Sequence, residues 1–335
     1  MRRARLEADF SKGETPVTNT RRRTLIAGTL GGITISASTL DAAAAEPSRQ
    51  IAFGPEGCEP DLEVDWHAGW PSSKHDPEPE IQSHAADEHT IVMRQNKSVN
   101  YEAPFMFLLF GNERALLIDT GATPEPEYFP LRATVDGHVS DWLDRHPRRK
   151  YELVVAHTHG HGDHKAADAQ FAHRRRTTVV GPGLDEVLAH YGFDDWPATP
   201  REIDLGGRVV DVIPGPGHHP AATVFYDRWT RMLLTGDTFY PGRLYVDDWN
   251  AFETTVDTLV AWCDAHPVSH VVGCHVEMSV LPGVSYPRGW TYQPDEAPLP
   301  MTAAQLRELQ AAVREIGGAP GKHVYDAFEV WYQAE

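Results

Sequence analysis

His157-Thr158-His159-Gly160-His161-Gly162-Asp163-His164 is the stretch on which the reading of this chain turns. Residues 151–156 before it are mostly apolar and read as a buried strand, and residues 163–173 read as a helix. Side chains between a strand and a helix gather at the strand end, where α/β proteins carry chemistry. Imidazole and carboxylate together suit zinc and similar divalent ions. His159 and His161, two apart, can grip one ion, and Asp163 with His164 can reach a second across the turn. Gly160 and Gly162 let the backbone approach without side-chain clash.

Working outward, short apolar runs read as strands at 90–93, 105–110, 115–118, 177–180, 208–213, 222–226, 232–234 and 270–273. Helical patterns fall at 136–146, with Val139, Trp142 and Leu143 on one face, and at 184–191 and 252–266. Residues 302–316 make an amphipathic helix with Thr302 as N-cap and Gly317 just past its end. Residues 282–300 read as a long Pro-rich loop. Strands come first and then alternate with helices, which predicts two sheets with helices outside, an α/β domain over 89–335. Residues 46–88 read as an irregular wrapping segment.

Residues 1–45 read as a twin-arginine export signal. Arg21, Arg22 and Arg23 precede a weakly apolar run, and Ala42 to Ala45 offer a small-residue cleavage site. The run is too short and polar for a stable membrane anchor, so a periplasmic or secreted location is expected. A net charge of -18 argues against a nucleic-acid partner, leaving a small-molecule substrate. Three cysteines, Cys58, Cys263 and Cys274, cannot form a disulfide framework. Arg174-Arg175-Arg176 reads as a solvated turn on an acidic protein. His157, His173 and His219 read as surface histidines.

From His159 the segment runs His-x-His-x-Asp-His, which resembles the signature of the metallo-β-lactamase superfamily. Four further stretches resemble the family's motifs in its order: residues 115–121 ending Asp119-Thr120-Gly121, Pro216-Gly217-His218-His219-Pro220, Thr235-Gly236-Asp237, and Gly273-Cys274-His275. The resemblance covers roughly residues 89–280 and implies a four-layer αββα sandwich. It also implies two divalent ions, zinc being expected and manganese or iron the alternatives. The first ion would take His159, His161 and His218, the second Asp163, His164 and His275, with Asp237 bridging and Asp119 orienting the ligands from behind. Cys274, beside a ligand on a strand, should point to the opposite face.

Two ions sharing a hydroxide would give a nucleophile at neutral pH, with Asp163 as a catalytic ligand. No Gly-x-Ser-x-Gly elbow is present. By resemblance to the lactonase branch, Tyr240 would donate to the substrate oxygen. The bridging Asp237 resembles the glyoxalase II and lactonase branches rather than the β-lactamases proper, which implies an ester, lactone or thioester substrate. The rival classes are a mononuclear iron oxidoreductase resembling persulfide dioxygenases and a non-catalytic metal-binding module. Tyr245, Trp249, Trp290 and Tyr292 are candidate pocket walls on spacing alone.

Overall fold

The structure, a computed structural model, describes residues 50–334, so the signal-peptide reading of 1–45 lies outside the described residues. The first sheet has six strands in chain order: β1 (Ile81–Asp87), β2 (Thr90–Gln95), β3 (Phe105–Phe110), β4 (Arg114–Ile118), β5 (Glu152–Ala156) and β6 (Thr177–Val179). Its first four strands are antiparallel; β4, β5 and β6 are parallel. Helices α1 (Leu131–Arg145), α2 (Gly162–Lys165), α3 (Asp168–Phe171) and α4 (Leu184–Tyr191) fall between or after these strands. The second half adds strands β7 (Arg201–Asp204), β8 (Val209–Pro214), β9 (Thr223–Asp227), β10 (Met232–Gly236), β11 (Arg243–Val246), β12 (His270–Gly273) and β13 (Pro300–Met301). Six of these form the second sheet, in the order β13-β12-β10-β9-β8-β7. Helices α5 (Trp249–Ala265) and α6 (Ala303–Ile316) belong to this half, and β11 joins β14 (Gly321–Val324) and β15 (Glu329–Tyr332) in a small third sheet.

Strand periodicity makes the layers. All six residues of β3 are buried, yet Phe105, Phe107 and Leu109 face one core while Met106, Leu108 and Phe110 face another. Successive side chains leave a strand on opposite faces, so a wholly apolar strand must be covered on both. The inner core joins Phe107, Ile118 and Val154 of the first sheet to Val212, Phe225 and Leu234 of the second. On the outer side of the first sheet lie Val135 and Trp142 of α1 and Phe171 of α3. On the outer side of the second lie Val256 of α5 and Leu306, Leu309 and Val313 of α6. This is the four-layer αββα sandwich. Among the described residues no helix is long and apolar enough to cross a membrane.

Several boundaries differ from the sequence reading. The supposedly irregular 46–88 ends in β1, whose Ile81 pairs with Gln95; one β-branched residue in seven gives too weak a strand signal. The helix expected at 163–173 is two single turns, because the Ala166 N–H goes to the Gly121 carbonyl at 3.0 Å. Helix α5 starts at Trp249 rather than 252 because the Asp248 side chain caps the Ala251 N–H. Helix α6 has the expected N-cap, Thr302, and Gly317 in the left-handed region after it.

The Pro-rich loop is anchored by buried charge. Arg94 and Lys97, each 2% exposed, both hold Glu296, with Arg94 Nη1 2.6 Å and Lys97 Nζ 3.0 Å from its oxygens. Burial, with the Arg94 charge adding to it, outweighs Glu296 and pushes the Lys97 pKa down to about 8.

Candidate metal centre

The loop after β5 carries His159 and His161, and α2 carries Asp163 and His164. The second sheet supplies the remainder. His218 stands in the turn between β8 and β9, and Asp237 and His275 follow β10 and β12. These two strands are parallel neighbours with Gly236 opposite Gly273, so both ligands emerge side by side. Gly236 has φ +53, and a Cβ there would lie 2.6 Å from Thr158 Cβ, so the backbone turns where a side chain could not.

The seven donors fall into two groups. His159 Nε2, His161 Nδ1 and His218 Nε2 form a triangle with edges of 3.0, 3.0 and 3.2 Å. Asp163 Oδ2, His164 Nε2, His275 Nε2 and Asp237 Oδ1 stand 3.3–3.4 Å apart along five of their six edges. Ligands 2.0–2.1 Å from a tetrahedral zinc stand about 3.3 Å from one another. Asp237 Oδ2 instead faces the first group, 3.7 Å from His218 Nε2 and 4.0 Å from His159 Nε2. One carboxylate thus turns one oxygen to each group.

Hydrogen bonding orients the rings. His218 Nδ1 donates to the Tyr245 carbonyl at 2.7 Å, His275 Nδ1 to the Glu102 carbonyl at 3.0 Å, and His164 Nδ1 to Asp119 Oδ2 at 2.9 Å. Each ring, when neutral, aims an Nε2 lone pair inward. Asp237 Oδ1 is buried without a hydrogen-bond partner. Lone pairs converging at these distances, with a buried orphan carboxylate oxygen among them, are the arrangement that a divalent cation satisfies, so the residues fit the metal ions.

The electrostatics divide the groups. Burial, with His164 nearby, holds the His159 pKa well below the ordinary histidine value. Burial opposes charge on His164 too, but Asp237, Asp119 and Asp163 outweigh it and raise its pKa well above ordinary. His275 is raised to about 9 against burial by Asp237 and Asp163. Despite burial, the histidines hold Asp163 and Asp237 far below the usual carboxylate range.

Behind the centre, Asp119 also accepts the Thr158 N–H at 2.7 Å and its hydroxyl at 2.8 Å. Cys274 does not point away from the site, as its strand position suggested. Its side chain enters the inner core with Sγ 3.3 Å from Asp119 Oδ2, behind the donors and not among them. His157 is buried rather than on the surface, paired through Nε2 with Asp168 at 2.8 Å. His219, also read as a surface residue, lies tilted to His159 and edge-on to His161 at ring separations of 5.7 and 5.1 Å. The carbonyls of Tyr245 and Glu102 left no sequence signal, because backbone oxygens are common to every residue.

Tyr240 corrects the sequence reading. Its hydroxyl donates to the Arg243 carbonyl, and the side chain is 2% exposed within the second-sheet core. A phenol has one proton to give, and this one is committed away from the donors. Trp249 is likewise a core residue, packed on Tyr332, not a pocket wall. Trp290 and Tyr292 are exposed, and the Tyr245 ring packs edge-on to Trp331.

Fold and donor set together define an αββα protein with two groups of candidate metal donors at its strand ends. The sequence model of the Metallo-beta-lactamase superfamily matches residues 101–272, just over half of the chain, and the chain belongs to that superfamily. A hydroxyacylglutathione hydrolase of Rhizobium meliloti (strain 1021) is 29% identical over 50% of this chain and 64% of its own length. Another hydroxyacylglutathione hydrolase, from Anaeromyxobacter dehalogenans (strain 2CP-C), is 32% identical over 41% of this chain and 46% of its own. The chain therefore spans less than two thirds of the curated relatives it matches. A metallo-beta-lactamase from Pontibacter korlensis superposes with a TM-score of 0.45 at 17% identity, over 70% of this chain and 99% of that one.

Proposed function

We propose that this chain is a metal-dependent hydrolase that cleaves an ester, lactone or thioester in a small molecule, with two divalent ions, zinc for preference. The observation that carries this is the second donor group, four atoms at 3.3–3.4 Å edges beside a separate histidine triangle. His159, His161 and His218 would hold one ion, Asp163, His164 and His275 the other, with Asp237 between. When bound, such ions supply a nucleophile from water at neutral pH and polarise a carbonyl oxygen. The protein's own part is to fix the rings through Asp119, Tyr245 and Glu102 and to keep most of the donors buried, where charge interactions are stronger. Neither Cys274 nor Cys263 is a ready nucleophile. Burial raises the Cys274 pKa far above ordinary and pushes Cys263 up to about 11. The two curated relatives are named for a thioester substrate, which supports the thioester among the three bonds.

The test is metal analysis of protein never exposed to chelator, combined with assays on an aryl ester, a lactone and an acyl thioester. Two zinc or manganese ions with chelator-sensitive turnover of at least one substrate is the expected result. A single iron would favour the oxidoreductase reading, and metal without turnover the binding module.

A further inference from the structure

Away from the metal donors, α1 and the turn after α3 flank an open surface cavity of about 480 Å³. Arg132, Arg148, Arg174, Arg175 and Arg176 line it, and among the described residues Asp136 is the only acidic group in its wall. The triple arginine is thus joined by two arginines distant in sequence, which a solvated turn does not require. The whole chain has 48 acidic residues against 30 basic ones, so a charged neighbour of an arginine would by chance more often be a carboxylate than another cation.

Three of the five are fixed by the scaffold. Asp136 uses both oxygens to hold Arg132 Nε at 3.4 Å and Arg174 Nε at 2.6 Å. Arg148 donates to the Asn112 carbonyl and side chain at 3.0 and 2.7 Å, with its guanidinium 5.5 Å from the Trp142 ring centre. Arg175 and Arg176 are exposed, and among the described residues no carboxylate lies within 4.0 Å of either. Val139 and Leu143 give the cavity an apolar side.

Like charges held together repel, and among the described residues a cluster of five guanidiniums, three of them fixed, with one carboxylate in the cavity wall leaves a positive field there. Guanidinium forks match phosphate oxygens in geometry as well as charge. The volume is that of a small-molecule site, and a concave cluster lacks the extended stripe that tracks a nucleic-acid backbone.

We propose that this cavity binds a small phosphate-bearing anion of at least two negative charges, at a site separate from the metal centre. The test is calorimetric titration of the metal-loaded full chain with inorganic pyrophosphate and, separately, with phenyl phosphate, at low and high salt. At least one probe should saturate the protein and bind more weakly as salt rises. The Arg175→Glu/Arg176→Glu variant should lose about tenfold or more in affinity, with thermal midpoint and metal content unchanged. Pyrophosphate alone binding identifies a free polyphosphate, whereas tighter phenyl phosphate binding identifies an organic phosphate using the apolar side. If the charge reversal unfolds the chain, Arg175→Ala/Arg176→Ala makes the same comparison, with a smaller loss expected. Absence of saturation by both probes overturns the proposal. So does binding that persists in a folded variant, including binding that disappears only on metal removal.

Discussion

Asp119 Oδ2 lies 2.9 Å from His164 Nδ1, and neither side chain has any exposed surface. The pair fixes which ring nitrogen of His164 turns to the metal donors. Asp119 sits at φ +66, a conformation asparagine tolerates, so Asp119→Asn keeps the backbone and alters only the hydrogen bonding. We expect metal affinity at the second group to fall roughly 10- to 100-fold. Competitive chelator titration checks this, and unchanged affinity would show that Asp119 serves only the Thr158 turn.

Asp163→Ala removes one corner of the second donor group. Metal content should drop from about two ions to about one per chain, since a structured site binds only when its ligands are in place. Turnover of any confirmed substrate should vanish while circular dichroism stays native. Retained turnover with two ions bound would mean that Asp163 is not a ligand.

For Tyr240→Phe, the buried hydroxyl predicts the reverse of its catalytic reading. Turnover should stay within about twofold, under half a kcal/mol of barrier. The Arg243 carbonyl loses its donor, so stability should fall by about 1–3 kcal/mol. A hundredfold loss of turnover with unchanged stability would restore the oxyanion role.

Lys97 gives a pH dependence with a definite sign. Below pH 8 it is protonated in both states, and folding carries the full cost of burying it. Between about 8 and the ordinary 10.5 the folded chain has released the proton and the unfolded chain has not. The unfolded state then binds more protons, so stability rises with pH across that window. Tyrosines and cysteines titrate there too, so the observable is wild type minus Lys97→Met in denaturant titrations. That difference should grow in favour of wild type from pH 8 to 10; a flat difference would mean that Lys97 keeps an ordinary pKa.

The metal centre was the more legible part of the sequence, because its donors sit in short local motifs at strand ends. His159 to His164 lie within six residues, and Gly236 and Gly273 mark the two parallel strand ends. The layers followed from apolar runs such as 105–110. What failed did so for want of local signal. Strand β1 has one β-branched residue, and β11, β14 and β15 form a sheet through pairing distant in sequence. The Tyr240 reading failed because an offset from Asp237 gives a residue's place on the chain but not the direction of its hydroxyl. Arg132 and Arg148 meet the triple arginine only through the packing of α1, which no spacing foretells.

Each group of donors is divided between the two sheets. Four of the seven follow β5, and three follow β8, β10 and β12. Neither half of the chain can therefore assemble either site alone: the histidine triangle needs His218 from the second half, and the other group needs Asp163 and His164 from the first. High-affinity uptake must wait until the sheets have docked, since ligands unassembled in the unfolded chain bind only as folding brings them together. Metal loading is then a checkpoint on docked tertiary structure, which a collapsed chain with native strands but unpaired halves cannot pass.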